Sequence, residues 1–112
     1  MLQLRDPDSF QKSVLQSNEP TVVMFWATWC PFSRRFNAEF QKLESARPWR
    51  FAAVYLDDED NPLWEEYAVE VVPTLALFRD GKLVDRLDGV LGYGIDRRMV
   101  EDFVQRVQLA VA

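Results

Sequence analysis

The sequence predicts an α/β layer sandwich: a mixed central sheet of about five strands, flanked by about four helices, in the order β-α-β-α-β-α-β-β-α. Two runs, Thr21–Ala27 and Phe51–Asp57, are apolar for most of their length without polar alternation. A strand of that kind belongs in the middle of a parallel sheet covered on both faces. The segments around them repeat apolar residues at intervals of three and four, the helical spacing. In the last third, Asp80-Gly81 separates two strand-like runs, a hairpin signal that adds an antiparallel pair at one side of the sheet.

Each element has its own justification. Leu2 and Leu4 alternate with polar neighbours and suit a short first strand at residues 1–4. Asp6-Pro7-Asp8-Ser9 opens a helix, with capping side chains and a proline near the first turn. Phe10, Val14 and Leu15 give that helix an apolar side, and Asn18-Glu19-Pro20 ends it. After the strand at 21–27 comes a helix expected from about Ser33 to Ala46, with Phe36, Phe40 and Leu43 on one face. Arg47-Pro48 closes it, because a residue before proline is pushed out of the helical region. Asn61-Pro62 opens a short helix carrying Leu63, Trp64 and Tyr67. Val71-Val72-Pro73-Thr74 leads into the strand Leu75–Phe78, paired through Asp80-Gly81 with Leu83–Leu87. Gly89, Gly92 and Gly94 mark a loop, and Asp96 caps a last helix with its apolar stripe at Met99, Val100, Phe103, Val104 and Val107. With no internal repeat and no linker, residues 1–112 read as a single domain.

Composition narrows the function. A net charge of −5 and a sequence pI near 4.7 argue against a nucleic-acid or anionic-membrane surface, both of which need a basic footprint. With no histidine and one cysteine, neither an internal disulfide nor a zinc cluster is available, and histidine acid–base catalysis is excluded. No cofactor is implied. The acidic run Asp57–Asp60 lacks a closed calcium loop with glycine at its turn and reads as a solvated strand end. Residues 1–7 lack the charged-then-apolar order of a signal peptide, and no apolar run approaches a membrane span, so a cytoplasmic protein is expected.

The chemistry concentrates at Cys30. A buried strand, a short turn and a helix place its sulfur beside backbone N–H groups and the positive end of a helix dipole, a setting that favours a thiolate. Lowering a thiol's pKa raises its thiolate fraction but reduces its nucleophilicity, so the larger benefit is as a leaving group. That suits a sulfur that joins a disulfide and is readily displaced from it.

The order of elements, with a cysteine opening the second helix, resembles thioredoxin. Phe25-Trp26-Ala27-Thr28-Trp29-Cys30 is similar to that family's approach to its active site, including both tryptophans. Pro73 of Val72-Pro73-Thr74 lies 43 residues after Cys30, where the family has its cis-proline turn facing the thiol. Phe78-Arg79-Asp80-Gly81 matches the family's step from strand to hairpin, and Gly89 its glycine beside the substrate groove. The resemblance covers essentially the whole chain and implies the thioredoxin fold. It also implies that Trp29, Pro31, Phe32, Val72, Pro73 and Gly89 contact substrate. Val72 would offer its backbone to an extended peptide, a strand-addition mode of binding.

The chain departs from the family where the chemistry is done. In place of Cys-Gly-Pro-Cys it has Cys30-Pro31-Phe32-Ser33, so the resolving cysteine is a serine. The family buries a carboxylate two residues before the first tryptophan, which helps to deprotonate the resolving thiol; here that position is Met24. The losses are coherent, since an unpaired buried carboxyl costs several kcal/mol and has no task without a second thiol. Cys-Pro-Phe-Ser also looks like a glutaredoxin site that has lost its second cysteine, although the surrounding frame follows thioredoxin. The expectation is a single-cysteine exchange protein in which Cys30 is the nucleophile and Ser33 at most a hydrogen-bond donor. A disulfide- or thiol-bearing protein is its substrate, and an external thiol, glutathione or a protein cysteine, is its resolver. The alternative is a non-catalytic module that binds a partner protein or peptide through the same groove.

Overall fold

The structure, a computed structural model, describes residues 1–112. Its five strands are β1 (Leu2–Leu4), β2 (Thr21–Trp26), β3 (Arg50–Tyr55), β4 (Thr74–Arg79) and β5 (Lys82–Leu87). They lie side by side in the order β1-β3-β2-β4-β5. Strands β1, β3 and β2 are parallel, whereas β4 runs antiparallel to β2 and β5 antiparallel to β4. The helices are α1 (Pro7–Phe10), α2 (Pro31–Ala46), α3 (Leu63–Glu66) and α4 (Arg97–Val111). The thioredoxin fold expected from the sequence is the fold observed.

Strand β2 occupies the centre of the sheet, and all six of its residues are buried. Successive side chains point to opposite faces. Val23 and Phe25 join Phe10, Phe78, Leu63 and Val69 on the face covered by α1 and α3. Val22, Met24 and Trp26 join Phe36, Phe40, Phe103 and Val107 on the face covered by α2 and α4. The first face is held by aromatic edges: Phe10 meets Phe78 and Tyr67 at centroid distances of 5.3 and 5.5 Å.

Element boundaries differ from the sequence expectation in small, explicable ways. Helix α2 starts at Pro31 rather than Ser33, since proline's fixed φ and missing N–H suit the first helical position. Beyond Phe10, α1 loosens into a π-helical turn over Gln11–Leu15. The expected strand 21–27 ends at Trp26, and the expected strand 51–57 runs from Arg50 to Tyr55. Between β4 and β5, Asp80 and Gly81 both take positive φ, 53° and 77°, as a two-residue hairpin turn requires.

Candidate active site at the end of the central strand

The site is built where β2 stops. Trp26 is its last residue, and the chain then turns back on itself: the Cys30 N–H donates to the Ala27 carbonyl at 3.1 Å. Cys30 is the N-cap of α2, with extended φ and ψ of −92° and 121°. The pattern of the sequence predicts a thiol within the first turn; the sulfur is instead borne by the residue that caps it. The Cys30 carbonyl accepts the Arg34 N–H at 3.0 Å, so the backbone of Cys30 is already part of the helix.

Cys30 is 9% exposed, and its Sγ lies 3.6 Å from the Val72 carbonyl oxygen, to which the thiol donates. Val72 is joined to Pro73 by a cis peptide bond, and both are buried. Thr74 ties this loop together: its hydroxyl donates to the Val71 carbonyl at 2.7 Å and accepts the Gly89 N–H at 3.4 Å. Glycine is required at 89, because a Cβ there would stand 2.3 Å from the Pro73 carbonyl oxygen. Gly89, Pro73, Val72 and Cys30 therefore follow one another in space as a continuous chain of contacts.

Ser33 is fully buried, and its Oγ accepts the Ala27 N–H at 3.3 Å. It occupies the third position of α2, one turn from Cys30. Pro31 is exposed and Phe32 half-buried. The Phe32 ring packs on Gly94, where a Cβ would come within 3.2 Å of Cδ1. Trp29, the residue before Cys30, is 52% exposed, with its indole N–H donating to the Asp57 carbonyl at 3.0 Å. Trp26 packs in the core against Tyr55, 4.9 Å between ring centroids. Met24, where the resemblance would place a carboxylate, is entirely buried among apolar side chains.

The sequence reading missed how the loop before Cys30 is held. Asp57 is exposed, as a solvated strand end should be, but its carboxylate also holds the chain before the thiol. One of its carboxylate oxygens accepts the Thr28 N–H at 2.8 Å and the other the Thr28 hydroxyl at 2.6 Å. From the other side, the Arg34 guanidinium donates to the Thr28 carbonyl at 3.0 Å. Every hydrogen-bonding group of Thr28 is thus engaged. The signal lay in the parallel register: Trp26 pairs with Tyr55, so two residues further on Thr28 comes opposite Asp57. Asp57–Asp60 form no group able to hold a metal ion.

Beyond Gly89 the chain makes a tight loop in which the Val90 N–H donates to the Gly94 carbonyl and the Gly94 N–H to the Val90 carbonyl, at 2.9 and 2.8 Å. It presents Leu91 and Tyr93 to solvent and runs into Asp96, the N-cap of α4. The Tyr93 hydroxyl donates to the Asp96 carboxylate. That bond, helped by the Met99 N–H, holds the Asp96 carboxyl below its usual range, and the same contact pushes the Tyr93 phenol up. Burial, and secondarily the charge of Glu66, raises the Tyr67 phenol.

Comparison with known proteins follows the same geometry. The family model described as Thioredoxin matches residues 2–101. A thioredoxin of Mycobacterium bovis is 35% identical over 97 residues, covering 86% of this chain and 84% of its own. A protein of Arabidopsis thaliana named monothiol glutaredoxin-S17 is 39% identical over 75 residues, 66% of this chain but 15% of its own length. Among solved structures, thioredoxin f2 of Chlamydomonas reinhardtii superposes with a TM-score of 0.81 at 26% identity, covering 96% of each chain. Sheet order, the thiol at the cap of α2 and the agreement over most of the length lead to one conclusion: the chain belongs to the thioredoxin family of redox proteins.

Proposed function

We propose that this chain is a monothiol thiol–disulfide exchange protein. The thiolate of Cys30 attacks one sulfur of a substrate protein's disulfide. A bond forms between Cys30 Sγ and that sulfur, and the other substrate sulfur leaves as a thiolate with the electron pair of the broken bond. An external thiolate, from glutathione or a protein cysteine, then attacks the substrate sulfur of the mixed disulfide and Cys30 departs unchanged. Over the cycle the chain itself is neither oxidised nor reduced; the substrate exchanges one disulfide partner for another.

The observation that carries this reading is Ser33. It fills the position one turn from Cys30, buried and with its oxygen on the Ala27 N–H, so no second sulfur stands within the site. Trp29, Pro31 and Phe32 are taken to form the apolar rim against which substrate packs, and Val72, Pro73 and Gly89 the edge along which its backbone lies. The Val72 N–H makes no bond within the chain and is available to such a segment. A cytoplasmic setting, where glutathione keeps thiols reduced, would supply the resolver. We take residues 1–112 as one thioredoxin-like domain.

Mass spectrometry of the native protein mixed with a mixed-disulfide probe tests the proposal. One covalent adduct at Cys30 is expected, released by added glutathione and absent from Cys30→Ser. A native chain that stays unlabelled would overturn it and leave the groove as a binding surface without chemistry.

A further inference from the structure

Residues 89–95, Gly-Val-Leu-Gly-Tyr-Gly-Ile, carry no charged side chain and lie between Asp88 and Asp96. The loop they form is pinned at both ends beside the thiol. Gly89 meets the Pro73 carbonyl, next to the Val72 carbonyl that receives the Cys30 thiol, and Gly94 lies against the Phe32 ring. Between those points the loop is closed and stiff. Val90 and Gly94 exchange both backbone bonds, the Tyr93 N–H donates to the Val90 carbonyl at 2.9 Å, and the Tyr93 hydroxyl donates to Asp96. Gly92 and Gly94 take positive φ, 75° and 86°, where glycine turns without strain.

What this stiff loop presents is apolar. Leu91 at its tip is 85% exposed, and Val90 and Tyr93 also face solvent. Apart from Trp29, the other exposed large apolar side chains lie elsewhere: Met1 at the chain start, Val84 on β5 and Leu109 near the end of α4. Single exposed apolar residues need no explanation, but a charge-free cluster of them marks a contact surface. The fold gains little from Leu91, because little of it is buried. Tyr93 and Gly94 also line a groove of about 710 Å³ between α2 and α4, with Phe32, Phe36 and Val100 on its wall. Its charges balance, Arg35, Lys42 and Arg97 against Glu39, Asp96 and Glu101, so the neighbouring surface favours neither sign. An occupant of this side of the thiol is selected by apolar contact.

We propose that the Val90–Tyr93 loop is a specificity element of the exchange site, and that Leu91 favours disulfides whose cysteine has an apolar residue nearby. The occupant is an extended protein segment running along Val72, Pro73 and Gly89. Leu91 stands two residues beyond Gly89, at most about 7 Å away, and extended chain covers that distance in about two residues. An apolar side chain about two to four residues from the substrate cysteine therefore comes within reach. Because the loop is already ordered, such a contact costs little conformational entropy on its side. The proposal rests on the reading of Cys30 as an exchange thiol, and it adds a selecting surface beyond the rim of Trp29, Pro31 and Phe32.

The test uses peptides of equal length with one cysteine, held as a mixed disulfide with a chromophoric aromatic thiol. One peptide has only serine and glycine around the cysteine; the others carry a single leucine, placed two to four residues to either side. The Cys30 thiolate forms a bond to the peptide sulfur, and the aromatic thiolate leaves with the electron pair of the broken disulfide. Each rate is read from the released colour, at peptide concentrations well below saturation. The best-placed leucine is expected to raise the rate about 5-fold over the serine peptide, the gain from half-burying one leucine. In Leu91→Ser that ratio should fall towards one, and in Leu91→Met it should return. Leu91→Ser should melt with the parent chain, so the loss is not one of folding. Equal rates for all peptides, a gain that survives in Leu91→Ser, or burial of the loop in a dimer of the chain would overturn the proposal. If no peptide releases colour, the exchange reading fails, and the loop is tested alone. There Cys30→Ser is titrated with the same peptides carrying serine for cysteine, and amide NMR shifts are followed over residues 90–94. Saturable shifts with a leucine peptide and none with the serine peptide support the loop as the selecting element; their absence overturns it.

Discussion

The Cys30 thiol donates to the Val72 carbonyl across 3.6 Å, which joins the nucleophile to the loop ahead of Pro73, 42 residues away in sequence. Cys30 caps α2, and the loop carrying Val72 is braced on either side, by the Thr74 hydroxyl on the Val71 carbonyl and by the close approach of Gly89 to Pro73. On the proposed function, changes to this loop are expected to alter exchange at Cys30 even where they leave the thiol untouched.

Ser33→Cys should convert the site from one sulfur to two. The position is one turn from Cys30 on the same helix, and the change is nearly isosteric. Air or a dithiol oxidant is expected to yield an internal disulfide, seen as the loss of both thiol hydrogens in the intact mass. The reduced variant should then reduce a protein disulfide stoichiometrically with no thiol added, ending as its own internal disulfide, whereas the parent chain should stop at the mixed disulfide. Adding Met24→Asp would bury a carboxyl at a fully enclosed position, with a cost of several kcal/mol unless it stays protonated. Its melting temperature should therefore lie well below that of Ser33→Cys.

Asp57→Ala should loosen the approach to the thiol. It removes the acceptors of both the Thr28 N–H and the Thr28 hydroxyl. A hydrogen bond to a charged group is worth ~1.5–3 kcal/mol at most, and these face solvent, so a loss of about 1 kcal/mol is expected. Adduct formation at Cys30 should slow by more than the stability loss accounts for. Asp57→Asn, which retains one acceptor, should recover part of the rate, and both quantities can be followed by thermal melts and probe labelling.

Gly89→Ala is expected to force β5 and the Pro73 loop apart. A Cβ at 2.3 Å from a backbone oxygen has no side chain to displace, so the backbone must move. Overpacking of this sort costs ~1–3 kcal/mol. The readouts are a lowered melting temperature and slower capture of an extended peptide, while Gly92→Ala, which meets nothing within 4 Å, should suffer only from its positive φ of 75°.

The Tyr93–Asp96 contact should shape both ends of the pH–stability curve. The Asp96 carboxyl is depressed below 3.8 in the fold, chiefly by the Tyr93 hydroxyl. Its contribution is fully present above 3.8 and is lost as pH falls through the lower folded value. The Tyr93 phenol is raised above 10.0 by the same bond. Its contribution is fully present below 10.0 and is lost as pH rises through the folded value. Tyr93→Phe should therefore lower the melting temperature most between these limits, with the difference from the parent chain shrinking towards both extremes.

How much of this was legible in the residues depends on how local the cause is. Strand β2, the hairpin at Asp80-Gly81 and the capping role of Asp96 follow from hydrophobic pattern and turn chemistry within a few residues, and all three stand in the structure. The start of α2 moved from Ser33 to Pro31, because a proline is as good a first helical residue as a helix breaker. The hold of Asp57 on Thr28 was not legible because the two lie 29 residues apart and meet only when β2 and β3 pair in register. The groove beside Phe32 was invisible for the same reason, since α2 and α4 become neighbours only when both pack on one face of the sheet.

Sequence by itself determined that this chain has one thiol to work with and no histidine, and that its central strand must be covered on both faces. Those are matters of composition and of period along the chain. Only the tertiary structure decided what stands around that sulfur: Val72 at its side, Ser33 turned onto Ala27, Asp57 holding the approach, and the apolar loop that closes on Gly94 beside Phe32. Each of these depends on strand register and helix packing, and residues distant in sequence become neighbours only when the hydrophobic faces of the sheet are buried.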